Sequence, residues 1–352
     1  FKASRIIGRR FKLVHVFNRS ELIEVATFRS GENKENDGNL VTDRTGKILR
    51  DNIWGTLEQD TFRRDFTVNA LYYCPVSKKI EDHNSGIKHI RDKKIVSIGD
   101  PIKRFSEDPV RSLRAIRFSN KLQFKIDSKI KDAIYKQGHL LSHISNARLF
   151  DEFCKIFLNG IAEKNFKKLE SYGLNQYLIL TNPNDTIFSS ELIKEALRNT
   201  DKRFRENKSI TPGFLIAAML WPELIKRASK NDEINLRKFF RSMDLVLKNQ
   251  QNITAIPRKF HTYIKDIWIL QLKLHSRIGK QPYKTLKHPR FRAAYDFLLI
   301  REKASKCKPD LGSWWTKFQK NDPSSQKSLI SNLRELTEEQ SFKKFGFPEE
   351  LI

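Results

Sequence analysis

Three cysteines in 352 residues, Cys74, Cys154 and Cys307, are odd in number and far apart. That spacing excludes a disulfide framework, and no Cys-x-x-Cys step offers a zinc site. Long apolar runs are missing too: nothing approaches the ~20 residues of a membrane span, and no secretory leader is visible. No internal repeat occurs. Acid is scarce beside base, with 41 Asp and Glu against 67 Lys and Arg, a formal charge of +26. The expectation is a reduced, cytoplasmic protein without a membrane partner, long enough for two or three cored domains. Its bases are spread along the whole chain, which points to a polyanion, nucleic acid first. A Lys-, Ile- and Asn-rich composition can also reflect a biased genome, so part of the excess has a bland reading.

Alternation marks strands over 12–17 (KLVHVF) and 22–28 (LIEVATF), with NRSE as the turn of a hairpin. Residues 30–47 are polar and rich in Gly, Asn and Asp, and read as a long mobile loop. A helix is expected over 56–73, then a hairpin over 79–98 turning at Asn84-Ser85-Gly86. From about residue 106 the period becomes helical, with segments over 142–158, 161–172, 189–199, 212–228, 234–247, 258–277 and 287–304. The last ~30 residues, charged and Ser-rich, read as a loosely ordered tail. The fold class is therefore α+β: a small α/β head and an all-helical remainder.

Three stretches carry chemistry. In FRRDFTVNAL (62–71) Arg63, Arg64 and Asp65 precede apolar residues; a solvated turn explains this, and so does a site for a phosphorylated ligand. In SEDPVRSLRAIRF (106–118) Asp108-Pro109 starts a helix. At about 100° per residue Arg117 projects onto its apolar side and needs an anion. One reading is a salt-bridged helix. The other is an arginine ladder for a triphosphate, with Asp108 and Arg111 reading a base edge. By itself Asp108 is equally a plain cap. Glu24 shares a strand face with Leu22, Ala26 and Phe28, expected to be half buried. It is either an edge acid turned to solvent or a carboxylate fixed near metal ions.

Together IIGRRFKLVHV (6–16), LIEVATFR (22–29), LRDNIWGTLEQDTFRRDFTVNALYY (49–73) and EDPVRSLRAIRF (107–118) resemble the class II nucleotidyltransferases, the family of bacterial poly(A) polymerases and tRNA CCA-adding enzymes. TPGFLIAAMLW (211–221), IPRKFHTYIKDIWILQLKL (256–274) and HPRFRAAYDFLLIR (288–301) look like the bacterial poly(A) polymerase I branch. The resemblance implies a head over 1–100, a base-recognising neck over 101–160, a body over 161–250, an RNA-binding region over 251–325 and a charged tail over 326–352. It implies that Arg63, Arg64, Arg114 and Arg117 bind the nucleotide, with Arg64 on a phosphate, and that Asp108 and Arg111 select ATP. Asp65 would act at the ribose or metal-bound site. Glu24 would be the third carboxylate of a two-Mg²⁺ centre, and the 30–47 loop would arrange the pocket.

One departure stands out. The family's glycine-rich GG-x-x-R-D turn and metal-binding Asp-x-Asp pair are absent; this sequence contains neither Gly-Gly nor Asp-x-Asp. In the family they precede the stretch that matches Phe1. The chain is therefore expected to be an N-terminally truncated polymerase sequence, the alternative being a decayed relative. For the intact protein the resemblance implies attack of an RNA 3′-hydroxyl on the α-phosphate of ATP with Mg²⁺, in a monomer whose partners are RNA 3′ ends and ATP. The alternatives are a CCA-adding enzyme, a catalytically dead RNA-binding relative, and a basic helical scaffold.

Overall fold

The computed structural model describes residues 3–7, 13–19, 21–30, 41–42, 48–50, 54–180, 187–230, 233–234, 236–305 and 310–337. The chain divides into two units, Phe1–Gln137 and Gly138–Ile352.

In the first unit the alternating stretches pair as expected. Strands β1 (Ser4–Ile7), β2 (Leu13–Asn18) and β3 (Glu21–Val25) form an antiparallel sheet in that order, with His15 opposite Glu24. The face expected to be half buried is open: Leu22 and Phe28 are 47% and 40% exposed. Strands β4 (Val41–Thr42) and β5 (Ile48–Arg50) pair with each other. The rest of the expected 30–47 loop beyond Ser30 lies outside the described residues.

Helix α1 (Leu57–Phe62) begins in a capping box, in which Thr56 and Gln59 exchange side-chain and backbone hydrogen bonds. It stops far short of the expected 73. Phe66 turns extended and bridges Ser97, while the Thr67 N–H donates to Val96 O at 3.0 Å. A 3₁₀ turn over Thr67–Asn69 leads into the hairpin β6 (Tyr72–Cys74) and β7 (Lys79–Glu81). The hairpin expected over 79–98 is thus displaced to 72–81. The Asp82 carboxylate accepts from the N–H groups of Gly86 and Ile87 at 2.8 and 3.0 Å, which starts helix α2 (Gly86–Arg91) where a turn was expected. Strand β8 (Lys94–Ile95) then pairs in parallel with β9 (Lys125–Ile126). Between those two strands lie α3 (Pro101–Glu107) and α4 (Val110–Leu122); α5 (Ser128–Gln137) follows. Phe66, Ile95, Phe105, Leu113 and Ile116 are fully buried at the centre of this unit.

The second unit is helical, apart from the short pair β10 (Ser229–Lys230) and β11 (Glu233–Ile234). Its helices are α6 (Asn146–Phe157), α7 (Ala162–Ser171), α8 (Ile187–Arg205), α9 (Pro212–Ala228), α10 (Leu236–Ile253), α11 (Arg258–His275), α12 (Gln281–Leu286), α13 (Phe291–Ser305), α14 (Leu311–Lys320) and α15 (Pro323–Thr337). Seven of these answer the expected segments. In α6 Leu149, Phe150, Phe153, Ile156 and Phe157 recur on one face and are buried. Helix α15 occupies residues that read as a loose tail; residues 338–352 lie outside the described residues. Trp221, Trp268 and Trp315 are fully buried, and the indoles of Trp268 and Trp315 donate to Ala217 O and Leu274 O at 2.9 Å. Among the described residues no helix is long and apolar enough to cross a membrane.

Trp315 packs among Phe291, Trp314 and Phe318 and satisfies its own N–H, so its loss leaves a cavity and an orphaned carbonyl. Trp315→Ala is expected to lower stability by about 3–5 kcal/mol. Urea unfolding followed by circular dichroism checks this; a shift below about 1 kcal/mol would contradict the packing described.

Candidate nucleotide site

The site is built on a buried acid that no sequence pattern singled out. Asp60, on the last turn of α1, is 3% exposed. Because α1 is helical, residues three and four further on lie beside it. Arg63 Nε donates to Asp60 Oδ1 at 3.0 Å; Arg64 donates to Oδ2 from Nε at 3.1 Å and Nη2 at 2.8 Å. The Tyr72 hydroxyl also donates to Oδ2, and the backbone N–H of Arg29 to Oδ1 at 3.2 Å. That last bond needs a close approach of two backbones at Gly55, whose N–H donates to Phe28 O. A Cβ on Gly55 would lie 2.4 Å from Ser30 N, so only glycine fits.

Burial by itself pushes the Asp60 carboxyl upward. The hydrogen bonds from Tyr72 and Arg64, with the Arg64 charge, outweigh it and hold Asp60 below the ordinary carboxylate range. Burial also works against the Arg64 cation, and the bond to Asp60 more than restores it. Tyr72 is raised by burial and by donating to a carboxylate.

A second buried acid, Asp65, accepts from Arg114 Nε at 2.6 Å, Asn69 Nδ2 at 3.0 Å and the Phe66 N–H at 2.8 Å. This ties the turn after α1 to α4. Arg104 on α3 makes the other tie: its Nη2 donates to the carbonyls of Arg63 and Arg64, each at 2.8 Å, and its Nη1 to Glu107 at 2.8 Å. Arg111 Nη1 donates to Arg104 O at 2.7 Å and to Glu107 at 3.1 Å. Burial and then the neighbouring Arg111 charge lower the pKa of Arg104. The expected N-cap is displaced by one residue: Pro109 is the N-cap of α4 and Asp108 ends α3, its Oδ1 accepting from the Val110 N–H at 3.3 Å. The guanidiniums of Arg114 and Arg117 lie 5.3 and 4.3 Å from the Phe118 ring.

Arg63, Arg64, Asp65, Asp108, Arg111 and Arg114 are thereby assembled by α1, α3 and α4, and Arg117 joins through Phe118. Glu24 is not joined to them by any described contact. Its side chain is 61% exposed and lies 3.4 Å from His15 Nε2, which makes it an open-strand acid rather than a half-buried one. Asp60, Tyr72, Arg104 and Glu107 were missed by sequence reasoning. The acid-to-arginine spacings Asp60/Arg63/Arg64, Arg104/Glu107 and Glu107/Arg111 were a usable signal; Tyr72 had none.

Among the described residues no three His, Cys, Asp or Glu side chains come together as metal ligands. Asp60 and Asp65 already have their oxygens filled by guanidinium and amide donors. The described residues by themselves do not supply a two-metal centre, and no step below is routed through a metal.

The fold matches solved tRNA-processing and CCA-adding enzymes. A "tRNA-processing enzyme with CTP" aligns with a TM-score of 0.60 at 19% identity, over 94% of this chain and 82% of that one. The Bacillus stearothermophilus CCA-adding enzyme, solved in complex with CTP, aligns at 0.54 and 21% identity, over 98% and 71%. At the level of sequence, residues 1–96 match the family described as "Poly A polymerase head domain", 123–183 "Probable RNA and SrmB- binding site of polymerase A", and 232–345 "Polymerase A arginine-rich C-terminus". Poly(A) polymerase I of Escherichia coli is 40% identical over 353 residues, 95% of this chain and 75% of that protein. The Haemophilus influenzae enzyme of that name is 38% identical over 94% and 76%. The CCA-adding enzyme of Anoxybacillus flavithermus is 35% identical over 53% and 44%. The class is nucleotidyltransferase. Within it, the chain belongs to the bacterial poly(A) polymerase I family.

Asp60 sets a pH dependence. Its folded pKa is depressed, so its contribution to stability is complete above the unfolded value of about 3.9 and is lost as pH falls through the lower folded value. Asp60→Asn is expected to cost about 3–5 kcal/mol at neutral pH. The gap from the unsubstituted protein should close on acidification below about pH 4. Denaturant melts at several pH values test this; a gap constant down to the acid limit would refute the assignment.

Proposed function

We propose that this protein adds AMP from ATP to RNA 3′ ends without a template, acting on cytoplasmic RNA. The observation that carries this reading is the arginine cluster held by Asp60, Asp65 and Glu107, in a chain of the poly(A) polymerase I family. Guanidiniums in that number suit a triphosphate, since each planar fork donates in pairs to phosphate oxygens. In this reading Arg63, Arg64, Arg114 and Arg117 bind the phosphates. Asp65 orients Arg114 and lies at the ribose. Asp108 accepts from the exocyclic amine of adenine, and Arg111 donates to the neighbouring ring nitrogen. Guanine and uracil present the reversed donor and acceptor order on that edge, so they are rejected; cytosine presents the same order as adenine, so this pair alone does not reject it. The RNA 3′-hydroxyl oxygen attacks the α-phosphorus as its proton passes to solvent, the new P–O bond forms, and pyrophosphate departs with the electrons of the broken bond. Arg111 must give up its hold on Glu107 to reach the base, so the resting site is self-paired.

The test gives the protein a labelled RNA with a free 3′-hydroxyl, a divalent cation and one nucleotide at a time. Extension by a ladder with ATP alone supports tailing. CTP use on tRNA-like ends only would make it CCA-adding, and RNA retention with no extension would make it a binding relative.

Two substitutions refine the site. Arg111→Ala is expected to reduce the preference for ATP over other nucleotides about tenfold, the scale of one lost specific base contact; competition kinetics read it, and an unchanged preference would remove Arg111 from base reading. Asp65→Ala is expected to abolish incorporation while the far-ultraviolet circular dichroism stays unchanged. Full incorporation there would remove Asp65 from the site.

A further inference from the structure

A second cluster of guanidiniums lies in the helical unit, around a cavity of about 210 Å³ among α8, α9, α11 and α13. Arg203, Arg290 and Arg292 line it, together with the rings of Phe214 and Tyr263. One carboxylate, Asp296, faces the three cations. It accepts from Arg203 Nη1 at 3.3 Å and lies 3.1 Å from Arg292 Nη2. A carboxylate shared by two guanidiniums holds both in place and neutralises one. Arg203 is fixed further by donating from Nε to Ser209 O at 3.0 Å. Arg290 has no carboxylate contact among the described residues; its guanidinium sits 4.9 Å from the Tyr263 ring centroid. The cavity thus combines surplus positive charge, two guanidiniums preset by one acid, and an aromatic wall.

Each of those features suits a nucleotide. Guanidinium forks match phosphate oxygens, and aromatic and guanidinium planes stack on unpaired bases. The volume falls below the ~300 Å³ at which drug-sized pockets begin, so it takes one nucleotide unit and not a folded RNA element. The modest surplus of charge fits the single charge of a phosphodiester better than the larger charge of a nucleoside triphosphate. We propose that this cavity binds one nucleotide of the single-stranded RNA substrate, its phosphate on Arg290 and Arg292 and its base against Tyr263. Asp296 and Arg203 are positioning residues. The proposal rests on the RNA-tailing reading and names a contact site for that RNA.

The experiment measures binding of a fluorescent oligoadenylate to the full chain by anisotropy, between about 50 and 200 mM salt. Arg290→Gln and Arg292→Gln are each expected to weaken binding several-fold and to flatten the slope of log affinity against log salt by about 0.7. Tyr263→Leu is expected to lose about tenfold without a change of slope, and Tyr263→Phe to keep the affinity. Melting temperatures establish that each variant is folded, and the exposed Arg290 makes the cleanest substitution. Unchanged affinity and slope in all of them, with the unsubstituted protein binding RNA, would overturn the cavity alone. Weaker binding at an unchanged slope in both arginine variants would overturn its phosphate role. No RNA binding by the unsubstituted protein would overturn the functional reading and the cavity with it.

Discussion

A carboxylate surrounded by donors holds the arginine cluster of the first unit together. Asp60 is buried where an unpaired charge would be prohibitive, and it is tolerable because Arg63, Arg64, Tyr72 and the Arg29 backbone all donate to it. The same bonds aim two arginines that would otherwise be mobile surface side chains. They also draw β6, through Tyr72, and the segment that follows β3, through Arg29, toward α1. Stability and ligand geometry therefore share one set of contacts, and a change in one is a change in the other.

Asp65 and Glu107 repeat the pattern at a smaller scale. Each acid engages an arginine: Asp65 with Arg114, and Glu107 with both Arg104 and Arg111. Such a resting state keeps like charges from repelling one another and pre-orients forks that would lose rotamer freedom on binding. A nucleotide bound as proposed would compete with an internal acid, which favours ligands carrying more negative charge than one carboxylate.

What the sequence revealed depended on how local the cause was. The hairpin over 12–28 follows from alternation, and the helices of the second unit from apolar recurrence; both are short-range patterns. The helix expected over 56–73 fails because Phe66 and Thr67 bond to Ser97 and Val96 thirty residues away, which no local period encodes. The hairpin expected over 79–98 fails because Asp82 caps a helix there, and because Lys94–Ile95 finds its partner at Lys125–Ile126. At the site, the arginines and Asp65 were legible from their charge beside apolar residues. Asp60 was legible only through its spacing to Arg63 and Arg64, since a single acid in a short helix otherwise looks like any solvent-facing position until the fold buries it. Glu24 is the reverse case: alternation suggested a half-buried face, and in the described sheet its side chain is 61% exposed.

The pairs around the two buried acids also differ in reach along the chain. Asp60 meets Arg63 and Arg64 three and four residues away, whereas Asp65 meets Arg114 across 49 positions. Closing the short loops takes little chain entropy, and closing the long one takes more. The Asp60 half can therefore order with α1 early in folding and persist through local opening, while the Asp65 half exists only while α4 is docked. The docking of one helix is thus the event that completes the cluster, and any loosening of α4 separates Arg114 from Asp65 before it disturbs Arg64.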